Sequence, residues 1–588
     1  MLMPVTPAPT VASPTARSAA ATLDGSLHAA LAPLTGGLSP ISLTLAAADW
    51  WLHWATQPAQ SSTLWLDACK RGVACLMQDL TAGNGLVQGE DLRFSHPAWQ
   101  HGLLPAAAAR HYLAAEAWWK QATELRGMNQ HHKDVMRMCA RQWLDLLSPA
   151  NFGLLNPEVL QHTLACGGAN LVHGLANALD DWRRHQGLDP VQAREHPYQP
   201  GVDLAVTPGK VVHRNALVEL IQYQPQTATV NAEPVFIVPS WIMKYYILDL
   251  SPQNSMVRWL VSQGHTVFIL SWKNPEGSDA LLSMDDYLEQ GVFEPLAVIA
   301  QRIPSTPVHA VGYCLGGTLL AIAAAALSRP GKVRCAPLLP RLSSVSLLAA
   351  ETDFSEPGEM GVLIDESQVA MLEDLMAERG FLSGRQMAGS FQYLHSRELV
   401  WSATLREIWM GERLRPNDLM AWNADVTRMP AAMHSEYLRR CYLHNELAES
   451  RYPVEGRPVS LADVRLPIFL VGTEKDHVSP WRSVYKLHLL TDAELTFVLT
   501  NGGHNAGIVT EPGHPGRHYA QHTRQPGDPW IDAEGWIARA QRHEGSWWQA
   551  WQAWLLAHGE GLRVPARTID DASLPDAPGS YVQVRYLD

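Results

Sequence analysis

The chain holds 588 residues, with 45 Lys and Arg against 58 Asp and Glu, and a formal net charge of −13. That length allows about two to four domains. The acidic balance gives no reason to expect nucleic acid or an anionic membrane surface as partner. An apolar fraction of 46% and a charged fraction of 18% fit a folded globular protein.

Residues 1–25 are rich in Ala, Pro, Thr and Ser and lack the basic start and apolar run of a signal peptide, so they read as a flexible tail. Residues 26–200 read as a mainly helical region. Leu103 to Lys120, Met136 to Leu147 and Asn156 to Trp182 carry helix-like spacing, which fits packing, oligomer contacts or surface attachment alike. His131 and His132 are adjacent, a poor spacing for a helical metal site, and no metal is expected.

Residues 201–588 change pattern. Short β-rich runs at Val235–Pro239, Thr266–Leu270, Val308–Val311, Val345–Ala350, Pro467–Val471 and Leu495–Leu499 alternate with helix-like stretches. This predicts an α/β fold, a mostly parallel sheet covered on both faces. The alternation breaks over about 351–458, which reads as a helical cap inserted in the sheet domain. Near the C-terminus Trp547, Trp548, Trp551 and Trp554 fall mostly on one helix face, as a helix packed on the core would place them. No run of about 18 apolar residues is present, so no membrane span is expected.

The cysteines are Cys69, Cys75, Cys139, Cys166, Cys314, Cys335 and Cys441. An odd, scattered count argues against a disulfide scaffold and fits a reducing compartment. Absence of a C-x-x-C pair makes a structural zinc site unexpected. One cysteine stands apart. Gly312-Tyr313-Cys314-Leu315-Gly316-Gly317 follows the strand ending at Val311 and precedes the alanine-rich stretch Thr318–Leu327. Strand, sharp turn and helix form the context of a nucleophile elbow, where flanking glycines let strand and helix approach closely. Seven cysteines would yield roughly 0.04 G-x-C-x-G matches by chance at ordinary glycine usage. A buried structural cysteine in a glycine turn is the plain alternative. Cysteine in place of serine suits thioester exchange, provided a neighbouring base activates the thiol.

In such a fold the acid and then the histidine follow the nucleophile along the chain. After Pro467–Val471 comes Gly472-Thr473-Glu474-Lys475-Asp476-His477, where Asp476 is the leading acid and Glu474 the second. After Leu495–Leu499, His504 lies in the turn Asn501-Gly502-Gly503-His504-Asn505. His477, beside the acid, reads either as a substrate contact or as a polar residue of the pocket rim, and is left out of the catalytic set. Backbone N–H groups of Leu315, just after the nucleophile, and of Ile242, in the loop after Val235–Pro239, are the expected oxyanion donors.

From about residue 40 onward the chain resembles the polyhydroxyalkanoate synthases of the α/β-hydrolase superfamily. The resemblance is carried by Lys244 to Leu250, Gly264 to Phe268, Ser271 to Pro275, the elbow, Trp422 to Asp425, Asp476-His477, Gly503 to Gly507 and Gly545 to Trp548, with Ser148 to Phe152 upstream. It implies Cys314, Asp476 and His504 as a catalytic triad. It implies (R)-3-hydroxyacyl-CoA as substrate, 3-hydroxybutyryl-CoA first for a chain of the single-subunit short-chain class, with polyester and free CoA as products. It further implies no cofactor beyond the coenzyme A of the substrate, a homodimer, granule-associated proteins as partners, and a place at cytoplasmic polyester granules. Two other readings stay open: a thioesterase or polyester depolymerase using the same triad, and a granule scaffold without catalysis.

Overall fold

The computed structural model describes residues 25–28, 30, 35, 37–81, 91–100, 103–186, 188, 198–331, 339–394, 396–413, 417–569 and 573–585. The tail expected over 1–25 lies almost wholly outside these residues, as does Cys335. Two compact units emerge, one of residues 32–197 with 388–416, the other of 1–31, 198–387 and 417–588. The stretch 351–458 is therefore not one inserted body, because its middle belongs to the helical unit. The reason is polar pairing. Arg397 Nε lies 2.6 Å from Oδ1 of Asp145, a carboxylate whose side chain is 1% exposed, and its guanidinium also pairs with Glu116. Asn170 and Asn177 donate to the carbonyls of Trp409 and Glu407 at 2.8 and 2.9 Å.

The helical unit contains α1 (Pro40–Thr56), α2 (Pro58–Thr81), α3 (Leu103–Ala122), α4 (Gln130–Leu147), α5 (Pro157–Ala165) and α6 (Ala169–His185). Ser39 caps α1 and Asn156 caps α5, each followed by a proline at the first helical position. The stretch 156–182 forms two helices instead of the single run that its spacing suggests. Gly167 and Gly168 adopt φ of 63° and 84°, and that left-handed pair ends α5.

The other unit is built on a ten-stranded sheet of β1 (Gly209–Arg214), β2 (Val218–Tyr223), β3 (Val235–Val238), β4 (Val267–Trp272), β5 (Val308–Tyr313), β6 (Leu342–Leu348), β7 (Ile468–Thr473), β8 (Leu495–Thr500), β9 (His518–Arg524) and β10 (Gln541–Glu544). Their order is β1-β2-β4-β3-β5-β6-β7-β8-β9-β10. All pairs from β4 through β8 are parallel, and the two strands added at each edge pair antiparallel. Every residue of β3, β4, β5, β7 and β8 is buried, as a sheet covered on both faces requires. The alanine-rich helix α7 (Leu315–Ser328) is buried over most of its length against β5 and β6. Helix α8 (Trp548–Ala557) buries Trp548, Trp551 and Trp554 in the same core, and Trp551 Nε1 donates to Ser346 Oγ at 2.9 Å. This fold is the α/β-hydrolase architecture expected from the chain.

Candidate active site

Parallel strands deliver their C-terminal ends to one rim of the sheet, and the expected site residues gather there. Strand β5 ends at Tyr313 and α7 starts at Leu315, leaving Cys314 alone on the turn with φ 52° and ψ −125°. This is a left-handed conformation that a side-chain-bearing residue adopts at a cost. Its surroundings hold it. The Cys314 N–H donates to Leu348 O at 2.9 Å, and its carbonyl accepts from Gly317 N–H at 2.9 Å. Glycine is needed beside it, because a Cβ on Gly312 would lie 2.4 Å from Gly317 Cα and one on Gly316 would lie 2.2 Å from Val238 O. The thiol sits at the N-terminus of a 14-residue helix.

Asp476 follows β7 and is 7% exposed. Its Oδ1 accepts the N–H groups of Val478 and Ser479 at 2.9 and 2.8 Å, and its Oδ2 accepts Thr473 Oγ1 at 3.0 Å. Oδ2 also lies 2.8 Å from His504 Nδ1. Burial opposes its charge, yet the His504 charge and hydrogen bond, with the Ser479 and Thr473 donors, hold its carboxyl below the usual carboxylate value. An ionised carboxylate can only accept, so His504 carries its proton on Nδ1 toward Asp476. Nε2 is thereby left for another partner, and Cys314 lies near enough to act on the ring. Burial disfavours the charged ring, but Asp476 and Cys314 outweigh it and push His504 well above the ordinary histidine value. The three residues are thus an adjoining acid, base and thiol.

Glu474 is exposed and turned toward His518, 3.8 Å away, so it belongs to the solvated face. His477 is exposed as well. The Leu315 N–H lies in the first helical turn, whose N–H groups have no intrahelical acceptor. Ile242 is in the loop after β3, its N–H 3.4 Å from Ser240 Oγ and its carbonyl accepting Thr427 N–H at 3.0 Å. That loop abuts the elbow through the close approach of Gly316 to Val238 and Pro239.

The sequence reading missed one set of residues and the role of another that it had named. Tyr437 and Tyr442 lie near Cys314, the first buried and the second half-buried, and Phe354 packs on both at ring distances of 6.1 and 4.8 Å. The Gly545–Trp548 segment holds the histidine loop from beneath. Trp547 Nε1 donates to Gly507 O at 3.0 Å, Trp548 Nε1 donates to Ile508 O at 2.9 Å, and Ser546 Oγ bonds Thr510 O. Tyr313 steadies the same loop through Asn505 Oδ1 at 2.6 Å. Among the described residues no cluster of His, Cys, Asp and Glu has the arrangement of a metal site.

Comparison with known proteins fits this geometry. Residues 18–60 match the family described as "Poly-beta-hydroxybutyrate polymerase N terminal", residues 90–260 match "Poly-beta-hydroxybutyrate polymerase (PhaC) N-terminus", and residues 233–510 match "alpha/beta hydrolase fold". The poly(3-hydroxyalkanoate) polymerase of Methylorubrum extorquens is 38% identical over 500 residues, covering 84% of this chain and 81% of that one. The corresponding PhaC subunit of Rhizobium meliloti is 35% identical over 544 residues, covering 91% and 87%. That of Cupriavidus necator is 34% identical over 523 residues, covering 87% and 86%. The chain belongs to the poly(3-hydroxyalkanoate) polymerase family and is an acyltransferase on an α/β-hydrolase scaffold.

Proposed function

We propose that this enzyme polymerises (R)-3-hydroxyacyl-CoA, 3-hydroxybutyryl-CoA first, through a thioester on Cys314. The observation that carries the reading is the 2.8 Å pairing of Asp476 with His504, with Cys314 beside the same imidazole, at the ends of three strands of one sheet. His504 Nε2 takes the thiol proton, and the sulfur attacks the acyl carbonyl. The negative oxygen is met by backbone N–H groups, for which Leu315 and Ile242 are the candidates. The carbon–sulfur bond to CoA breaks, and CoA leaves with the proton held by His504. In the next step His504 removes the proton of a 3-hydroxyl, that oxygen attacks the acyl-enzyme, and the thiol of Cys314 is restored with the same proton. Asp476 fixes the imidazole tautomer and compensates its charge throughout. The aromatic side chains of Tyr437, Tyr442 and Phe354, the first and last of them buried, support acyl transfer over hydrolysis, which a dry pocket would suppress. Cys441 is fully buried and burial pushes its thiol up, so it is not assigned a role as second acyl carrier.

No cofactor is needed for these steps. The proposal includes a homodimer and work at cytoplasmic polyester granules with granule-associated proteins. Trp65, Leu66, Leu76 and Leu80 of α2 and Trp51 and Leu52 of α1 are all more than half exposed, which suits contact with an apolar surface. No helix among the described residues is long and apolar enough to cross a membrane. The test is incubation with 3-hydroxybutyryl-CoA, with Cys314→Ala as control. CoA release with insoluble polymer is expected and is lost in the variant. Soluble acid as the product indicates a thioesterase or depolymerase, and no release at all indicates a scaffold.

A further inference from the structure

Four adjacent strands each bring a titratable side chain to the same rim, and the mechanism above uses three of them. Across the sheet Tyr313 of β5 pairs with Leu348 of β6, Leu348 with Val471 of β7, and Val471 with Val498 of β8. Beyond that level stand Cys314, Glu351, Asp476 and His504 in turn. Neighbouring strands are about 4.8 Å apart, so the turns bearing Glu351 and Asp476 lie side by side.

Glu351 is held there deliberately by the chain. The backbone turns into the site at Ala349, a non-glycine residue at φ 48°, whose N–H donates to Val471 O at 2.8 Å. Thr318 Oγ1 donates to the Glu351 carbonyl at 2.7 Å, and a Cβ on Gly317 would lie 2.4 Å from that of Ala350. Residue 351 is only 4% exposed, and its Oε1 is buried with no hydrogen-bond partner among the described residues. An unpaired buried carboxyl oxygen is costly to keep, and such groups call for an explanation.

The charged and titratable groups around it are Asp476, Cys314, His504 and Asp353. From the inserted stretch, Tyr437, Tyr442 and Cys441 face it too. Burial first, and then the Asp476 charge, push its carboxyl well above the usual carboxylate range, which favours its protonated form beside Asp476.

We propose that Glu351 is a second acid of this site, a positioning residue able to orient His504 and compensate its charge when the Asp476 carboxylate is removed. The inference rests on the reading of Cys314 and His504 as nucleophile and base. Taking away the Asp476 side chain both opens space next to Glu351 and removes the like charge that keeps it protonated. The Glu351 O–H then loses its proton to water as the pH rises, and the carboxylate accepts the Nδ1–H of His504.

The experiment follows alkylation of Cys314 by iodoacetamide, read by mass spectrometry on the peptide that contains it, and so needs no turnover. Four proteins are compared between about pH 6 and pH 9: the parent, Glu351→Gln, Asp476→Ala and the double variant. We expect Glu351→Gln to slow alkylation by a factor at least about threefold larger in the Asp476→Ala background than in the parent. The proposal is overturned when the two factors are equal at every pH, as a purely structural role would make them. Melting curves check folding, and Asp476→Ser replaces Asp476→Ala where the latter does not fold. His504→Gln tests the underlying reading separately. Unchanged alkylation of Cys314 in that variant would remove the base assignment itself, whatever Glu351 does.

Discussion

Gly316→Ala tests how tightly the elbow is built. In an unobstructed helix this change would stabilise by about 1 kcal/mol, since alanine is the better helix former. Here the new Cβ would lie 2.2 Å from Val238 O, 2.4 Å from Pro239 O and 2.6 Å from Pro239 C. These are backbone atoms and cannot rotate aside. Forcing a methyl into such a contact costs about 1–3 kcal/mol, which outweighs the propensity gain. Relief comes from moving the first turn of α7 away from β3, which carries Cys314 away from His504. A misplacement of about 1 Å in such a pair lowers the rate on the order of a hundredfold. Gly389→Ala is the control: it lies in the helix Gly384–Leu394, is exposed, and a Cβ there meets nothing within 4 Å. The control should gain up to about 1 kcal/mol in thermal or urea unfolding with CoA release unchanged. A Gly316→Ala protein as stable as the parent and as fast in CoA release would refute the packing argument.

Trp547→Phe removes one of two donors to Gly507 O beneath the histidine loop and leaves Thr510 Oγ1 at 3.1 Å as the other. It should cost about 0.5–1.5 kcal/mol in unfolding and lower kcat more than it changes KM. Arg397→Ala leaves Asp145 with Arg93 at 3.4 Å as its nearest cation and should destabilise the helical unit by about 3 kcal/mol or less, visible as faster limited proteolysis there. The folded-state value of His504 is raised, so its stabilising contribution is full below about pH 6.5 and is lost as pH rises through the folded value. The melting-temperature advantage of the parent over His504→Gln should therefore shrink from about pH 6 to pH 10. An advantage that grows with pH would contradict the assigned pairing.

The central strands were legible because they are buried on both faces and read as short apolar runs, and the six expected from sequence stand within a few residues of β3 to β8. The flanking strands were not. His518–Arg524 and Gln541–Glu544 carry polar and charged side chains at a sheet edge, where no apolar pattern is required. Cys314, Asp476 and His504 could be found because each follows a recognisable strand, and the structure brings them together. Glu351 follows its strand in the same way, but nothing local says that a carboxyl after a strand will point inward. That depends on the positive φ of Ala349 and on its neighbours. The attachment of 388–416 to the helical unit was also beyond reach, because it rests on pairings such as Arg397 with Asp145, 252 residues apart.

The most direct measurement is the mass of the Cys314 peptide after brief mixing of the enzyme with 3-hydroxybutyryl-CoA and acid quench. The account predicts a hydroxyacyl adduct on Cys314 that forms together with CoA release and is missing in His504→Gln. Polymer formation with the adduct on another residue, or by a Cys314→Ala protein, would contradict it.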